Sequence, residues 1–329
     1  MSAKASDARD RSVDAMDVTD EGLHPADEDA DWQESVYLAW RDPATGLGGN
    51  HRIGNELNRN TSNHWCGVYR EDGTRYRCNG EGIELERLDL PGLVAGPQRL
   101  FHDGDALRFV LAGESCRMDV VIEDDPRSFR DATEGSFAGN GTAAGTILSS
   151  HFNAFGRVRG TVALADRAAE VDAFAWRDHS WGVRRWDSFS SSRSFGGSFG
   201  ETLQFRYGSM VGVNGAFFRR GSLVRDGEPL EVIHAEMLVS IDDDSLRCPS
   251  AEVRYHLADG ATMTVRIDTI GGMLGVTGQR CGWESVGDVS VDDQPGGWGF
   301  LEVNNNPRNG QNTPGFVLGD ALANGLHRS

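Results

Sequence analysis

The chain has 329 residues, a formal net charge of −18 and 38% hydrophobic residues, which is enough for two ordinary domains or one large β structure with its own core. The negative charge argues against nucleic acid and anionic membrane as partners, because phosphate contact needs basic patches. No apolar stretch approaches the roughly 20 residues of a membrane span, and the start lacks the charged-then-apolar pattern of a secretion signal, so a cytoplasmic protein is expected.

Residues 1–31 read as an acidic tail, Asp7 through Asp31 against Lys4, Arg9 and Arg11, expected to be disordered up to Trp32. Beyond it, 42 glycines, 9% aromatics and short apolar runs without long 3.6-residue stripes predict an all-β protein. Val36–Trp40 is an apolar run closed by Asp42-Pro43, and Gly46–Gly49 is a loop. Trp65–Arg70, Glu71-Asp72-Gly73 and Thr74–Cys78 form a hairpin with glycine placed for positive φ. Leu107–Leu111 and Met118–Glu123 are the next strand pair, and Phe152–Leu164 turns at Asp166-Arg167 into a Trp-rich strand. In the second half Glu201–Tyr207 alternates and Glu231–Ile241 is a longer strand. Ala251–Leu257 and Thr262–Ile270 are joined through Asp259-Gly260. Alternation of this kind implies sheets with one face inside and one outside. Two packed antiparallel barrels or sandwiches account for it, one over 32–186 and one over 187–329.

The five cysteines include no C-x-x-C pair, so neither a zinc site nor a disulfide framework is indicated. Cys66 and Cys78 are equidistant from Asp72 and are expected to face each other across the hairpin as reduced thiols.

The densest chemistry lies in Phe174–Trp186, where Asp178 and His179 sit side by side among Trp176, Trp181 and Trp186. A carboxyl walled by aromatic rings loses solvation of its charged form, so its pKa rises and it can hold a proton near neutrality. The competing reading pairs Asp178 with Arg184 and makes the tryptophans core. In an extended strand Asp178 shares a face with Trp176 and Ser180, while His179 shares the other with Arg177 and Trp181. A bulge at Gly182 would change that facing. His151 is a candidate base if the preceding strand brings it alongside. Glu302, a carboxylate in the apolar run Gly299–Asn304, is either a second acid/base group or a partner of Arg184.

Other patterns fail on context. Gly196-Gly-Ser-Phe-Gly200 matches G-x-S-x-G, but an alternating strand follows where a nucleophile elbow needs a helix. Gly139–Gly145 resembles a phosphate loop in glycine content alone. Asp242-Asp-Asp244 lacks calcium-loop spacing.

Arg177-Asp-His-Ser-Trp-Gly-Val-Arg184, together with Glu34-Ser-Val-Tyr-Leu38, Gly46-Leu-Gly-Gly-Asn-His-Arg-Ile-Gly54 and Gly299-Phe-Leu-Glu302, resembles the AttH-like, carotenoid 1,2-hydratase-like group of lipocalin-type proteins. The resemblance implies two lipocalin-like β-barrel domains around an apolar cavity, with no metal, no organic cofactor and a small hydrophobic substrate. In the hydratases of that group the aspartate of the D-H-x-W core is the favoured proton donor, which corresponds to Asp178. The carotenoid enzymes have Asn where this chain has Ser180, which points to a smaller terpenoid, a steroid side chain or a prenylated aromatic.

The expected activity is acid-catalysed hydration, dehydration or cyclisation at a C=C bond. Asp178 is the acid, His151 or Glu302 the base, and Trp176, Trp181, Trp186, His179, Arg184 and Trp65 contact the substrate. A pericyclase that folds a polyene and a non-catalytic lipid carrier are the alternatives. The sequence leaves the oligomeric state open.

Overall fold

Alternating segments joined by glycine-closed hairpins leave little room for anything but strands. The computed structural model describes residues 23–125, 150–243, 247–277, 280–305 and 323–328, with the backbone alone at 150, 151, 187, 276, 277, 280 and 305. The strands of the first half are β1 (Trp32–Asp42), β2 (Leu47–Glu56), β3 (Thr61–Arg70), β4 (Arg75–Glu84), β5 (Gly92–Ala95), β6 (Gln98–Asp103), β7 (Ala106–Ala112), β8 (Cys116–Asp124), β9 (Ser150–Leu164) and β10 (Arg167–Val183). Those of the second are β11 (Phe189–Phe199), β12 (Leu203–Gly212), β13 (Phe217–Arg225), β14 (Glu228–Leu230), β15 (Val232–Ser240), β16 (Ser250–Leu257), β17 (Thr262–Thr277), β18 (Arg280–Val291) and β19 (Gln294–Asn305), and β20 (Gly325–His327) follows. Gly73 (φ 85°) and Gly260 (φ 87°) occupy the left-handed turn positions that their hairpins require.

The strands make two antiparallel sheets. The first has the order β20-β4-β3-β2-β1-β10-β9-β8-β7-β6-β5, the second β14-β13-β12-β11-β19-β18-β17-β16-β15. Each curls on itself. At the closure of the first, Gln98 Nε2 donates to the carbonyls of Arg52 (3.0 Å) and Trp65 (3.2 Å), and in the second β13 meets β15. In both sheets the opening strand pairs with the last long one, β1 with β10 and β11 with β19, so these four lie mid-sheet. The all-β, two-domain architecture is the one the alternation predicts. The strand foreseen over 231–241 is β15, preceded by the short β14 that carries Pro229 at the sheet edge, and one detail differs from expectation: β20 returns to the first sheet beside β4. Cys66 and Cys78 stand opposite each other in register, both as free thiols.

Period-2 alternation divides the core into three. Val36, Leu38, Trp40, Ile53, Val68 and Phe109 fill the inside of the first sheet, and Phe195, Phe205, Val253, Tyr255 and Leu301 that of the second. A third cluster lies between the sheets, with Tyr37, Ala39, Trp65, Tyr69, Phe155 and Trp176 facing Met273, Val286, Trp298 and Phe300. Full burial of a large apolar side chain is worth about 1.5–3 kcal/mol, so this third layer makes the two sheets one folding unit.

Glycine lets the layers approach. A Cβ on Gly48 would lie 2.8 Å from Val286 Cγ2; one on Gly271 would lie 2.9 Å from Tyr69 Cβ, and one on Gly275 3.1 Å from the Trp65 ring. Each sheet thus offers bare backbone where the other projects a side chain. Arg41, fully buried, spans the interface with a two-pronged contact to Asp288 (2.9 and 3.1 Å), and Arg77 donates to the carbonyl of Leu274 (2.7 and 3.1 Å).

Residues 24–31, within the acidic stretch at the start, run against the first sheet. Asp29 and Asp31 pair with Arg185, Asp31 also with Arg59, and the Arg184 amide donates to the Asp31 carbonyl at 3.0 Å.

Candidate active site

The register of β10 decides where its chemistry points. β1 and β10 pair without interruption from Trp32↔Val183 to Arg41↔Phe174, so Gly182 introduces no bulge in this ladder despite its φ of 114°. Asp178 stands opposite Tyr37 on β1 and Asn153 on β9. Trp176 belongs to the layer between the sheets, and by alternation Asp178 and Ser180 face the same way. Asp178 therefore looks out of the first barrel toward the second sheet.

Asp178 is only half-buried, so part of its surface opens on the space between the sheets. Burial pushes its carboxyl above the usual range. The charges of Arg184, Arg206 and Arg52 pull it back, Glu302 pushes it up again, and the net direction is upward. Among the described residues no hydrogen bond or ion pair reaches this carboxyl. Desolvation is thus the largest influence on this carboxyl, and the expected alternative of an Asp178–Arg184 contact pair is not formed.

The walls come from both sheets. Trp176 stacks on Phe300 of β19 (centroids 4.3 Å apart, planes at 24°), and the guanidinium of Arg206 lies 4.9 Å from its ring centroid. The buried Nε1 of Trp176 has no hydrogen-bond partner among the described residues. Arg52 lies 4.6 Å from the Trp65 ring and 5.8 Å from that of Trp186, and Arg184 lies 5.6 Å from Trp186 on the other hand. Arg52 donates to Asn63 Oδ1 and Arg184 to Ser180 Oγ. Tyr37 donates its hydroxyl to Glu284 Oε2 at 3.1 Å, and burial followed by the Glu284 and Glu302 charges pushes its pKa far up, keeping it a neutral donor. Glu302 sits opposite Glu284 in the β18–β19 ladder and accepts from Asn304.

The sequence-derived candidates divide between the two faces of the first sheet. Asp178, Trp176, Trp186, Trp65, Arg184 and Glu302 gather on the inter-sheet side. His179 and Trp181 point the other way. His179 Nε2 contacts Glu34 Oε1 at 2.9 Å, His24 Nδ1 contacts the same oxygen at 2.7 Å, and His24 stacks flat on Trp181 at 3.8 Å. The backbone of His151 pairs with Ser180, while its side chain lies outside the described residues. So does the glycine stretch 139–145.

Among the described residues, His24, Glu34 and His179 are the one set whose donor atoms, all within 4.8 Å, could hold a metal ion. Here one Glu34 oxygen serves both imidazoles and the other accepts the His24 amide at 3.0 Å, so a cation would have to displace a hydrogen-bonded arrangement that already pairs the buried carboxylate.

The sequence reading missed Tyr37, Arg52, Arg206 and Glu284. Glu284 carried a signal, a carboxylate within the apolar alternation of Cys281–Val286, and it is fully buried. Arg206 carried none, because its partners come from the other sheet. Ser198 of the G-x-S-x-G match lies inside β11 and accepts from Trp298 Nε1 at 2.9 Å, a structural bond in a strand that turns into another strand. A cleft of about 220 Å³ opens between the sheets along Asp124, Phe155, Phe174, Ser198 and Gln204. Asp178 is not among its walls. Gln204, which lines the cleft, and Arg206, which lies over Trp176, share a face of β12.

Residues 17–307 match the model of a family described as a domain of unknown function, DUF7064. The chain belongs to that family. No curated protein matches it. Among solved structures it is similar to a protein from Nitrosomonas europaea given the name AttH, at a TM-score of 0.65 and 12% identity, covering 88% of this chain and 97% of that one. It is also similar to CghA (TM-score 0.56, 10% identity, 83% and 88% covered) and to kievitone hydratase from Nectria haematococca (TM-score 0.55, 10% identity, 83% and 88% covered). At these identities the likeness establishes the fold, which is the AttH-like one.

Proposed function

We propose that the protein is an acid catalyst for hydration, dehydration or cyclisation at a C=C bond of a hydrophobic, isoprenoid-like substrate, with Asp178 as the proton donor. One observation carries the reading: a carboxyl enclosed between two sheets, raised by burial, bordering open space and without a contact partner among the described residues. Support comes from the shared fold of a protein named for hydratase activity, kievitone hydratase.

In the forward direction the carboxylic O–H of Asp178 gives its proton to one alkene carbon. The π pair becomes the new C–H bond and the other carbon becomes a tertiary cation. An indole face stabilises such a cation by roughly 0.5–2 kcal/mol. The Trp176 and Trp65 rings are already engaged by Arg206 and Arg52 at 4.9 and 4.6 Å, and Trp181 lies on the opposite face of the sheet, so this role falls to the half-buried Trp186. Water, or a hydroxyl of the substrate, adds its lone pair to the cation and releases a proton to Glu302, from which solvent carries it away while Asp178 is reprotonated. Base assistance of this kind contributes about 10²- to 10⁴-fold. Run in reverse, the same groups dehydrate a tertiary alcohol.

Turnover in deuterium oxide tests the reading. The proposed reaction places solvent deuterium on carbon, and Asp178→Asn removes both turnover and label. Full turnover without label would reassign the site to a pericyclase that orients a polyene through hydrogen bonds from groups such as Tyr37.

A further inference from the structure

The face of β10 turned away from Asp178 carries a second concentration of chemistry. His24, from the segment that runs against the first sheet, Glu34 of β1 and His179 of β10 bring Nδ1, Oε1 and Nε2 within 4.8 Å of one another. The side chains of Glu34 and His179 have no exposed surface, while that of His24 keeps 17%. Solvent therefore reaches the set through His24, which leaves a way in for an ion and its coordinating water. The donors are also held from behind. Glu34 Oε2 accepts the His24 amide at 3.0 Å, the His24 ring lies flat on Trp181 at 3.8 Å, and His179 meets Phe152 and Trp181 edge-on at 5.6 and 5.4 Å. An aromatic surround of this kind orients ligands and strengthens the charge interactions it encloses.

We propose that His24, Glu34 and His179 bind a divalent transition-metal ion of the zinc class, which clips the segment before β1 to the β1–β10 ladder. Two imidazoles and one carboxylate are a donor set that suits zinc and its neighbours, whereas calcium and magnesium take oxygen ligands. The spacing suits it as well. Bonds of about 2.0–2.1 Å place tetrahedral donors roughly 3.3 Å apart, and Oε1 already stands 2.7 and 2.9 Å from the two nitrogens. What the ion displaces is the pair of hydrogen bonds that now meet on Oε1. A neutral imidazole turns the same nitrogen to the metal once its proton sits on the other ring nitrogen. Glu34 then exchanges two N–H donors for a dication, a stronger counter-charge for a buried carboxylate. The site lies on the opposite face of the strand from Asp178 and does not depend on the acid-catalysis reading.

The test is calorimetric titration of the full-length protein with Zn²⁺ after treatment with a chelator. One ion per chain is expected, with a Kd below about 10 μM that an excess of Mg²⁺ does not change. Zinc is expected to slow cleavage after the exposed Glu28 by a glutamyl endopeptidase, because the clip immobilises its segment. His24→Ala removes the partly exposed ligand and leaves the buried Glu34–His179 contact in place. Its melting in chelator reports the fold, and its zinc affinity, expected to be at least about 100-fold weaker, reports the site. Failure of the wild-type protein to bind zinc stoichiometrically overturns the proposal without recourse to any variant. Binding of equal affinity in His24→Ala overturns it by placing the ion elsewhere.

Discussion

At the scale of the residue, Asp178 combines the proposed acid role with a stability cost. Asp178→Asn keeps the shape, removes the transferable proton and is expected to lower turnover by at least about 10²-fold while ligand affinity is retained. The same substitution is informative without substrate. An acid whose folded pKa is raised above its unfolded value of 3.8 contributes stability that is fully present below that value and lost as pH rises through the folded pKa. The wild-type protein should therefore be less stable than the Asn variant near neutrality, with the gap closing as pH falls toward 3.8, as thermal melts across pH would record. Tyr37→Phe leaves the buried Glu284 without that donor and is expected to cost about 1–3 kcal/mol in denaturant unfolding. A variant as stable as wild type would show that other contacts of Glu284 suffice.

Among elements, the β1–β2–β3 region carries a second pH response of opposite sign. His51 accepts from Trp40 Nε1 at 3.0 Å inside the first barrel, where burial lowers its pKa to about 3; burial lowers that of His64 to about 4. Both fold as neutral rings, so their contribution is complete above the ordinary 6.5 and is lost as pH falls from there toward those values. For His51 the loss is on the order of 5 kcal/mol at the acid end. Acid unfolding monitored by indole fluorescence should begin below about pH 6.5, and His51→Gln should flatten that slope. A slope unchanged in His51→Gln would mean that other groups carry the transition. Much at this scale was legible in the residues. The Glu71-Asp-Gly73 and Asp259-Gly260 turns fixed their hairpins, and strict alternation from Trp176 to Trp181 put Asp178 and His179 on opposite faces, as found. What alternation does not encode is which distant strands become neighbours. The β1–β10 and β11–β19 pairings span most of each half, and they bring Tyr37 beside Asp178 and Ser194 beside Glu302. Arg206 joins the site only by packing of one sheet on the other, a relation that no local pattern records. Equally, the position of Asp178 outside the first barrel follows from which face of β1 meets the second sheet, not from the composition of β10.

For the whole molecule, the shared aromatic layer and the Arg41 and Arg77 contacts predict one cooperative unfolding transition. Arg41→Met deletes a fully buried bridge whose acceptor Asp288 is half exposed and can rehydrate, so the expected cost is a modest ~1–3 kcal/mol, accompanied by a second, separate transition as the halves uncouple. A single unshifted melt in calorimetry would locate the coupling entirely in the aromatic layer. The bare-backbone contacts at Gly48, Gly271 and Gly275 carry a wider implication. Because the layers already touch at main-chain distance, the hollow cannot grow by drawing them apart without forfeiting those contacts, nor shrink by pressing them together. Its capacity is written in the girth of the side chains that project into it. Relatives that accommodate bulkier or slimmer guests should accordingly differ at positions such as Trp186 and Phe300, with these three glycines left alone.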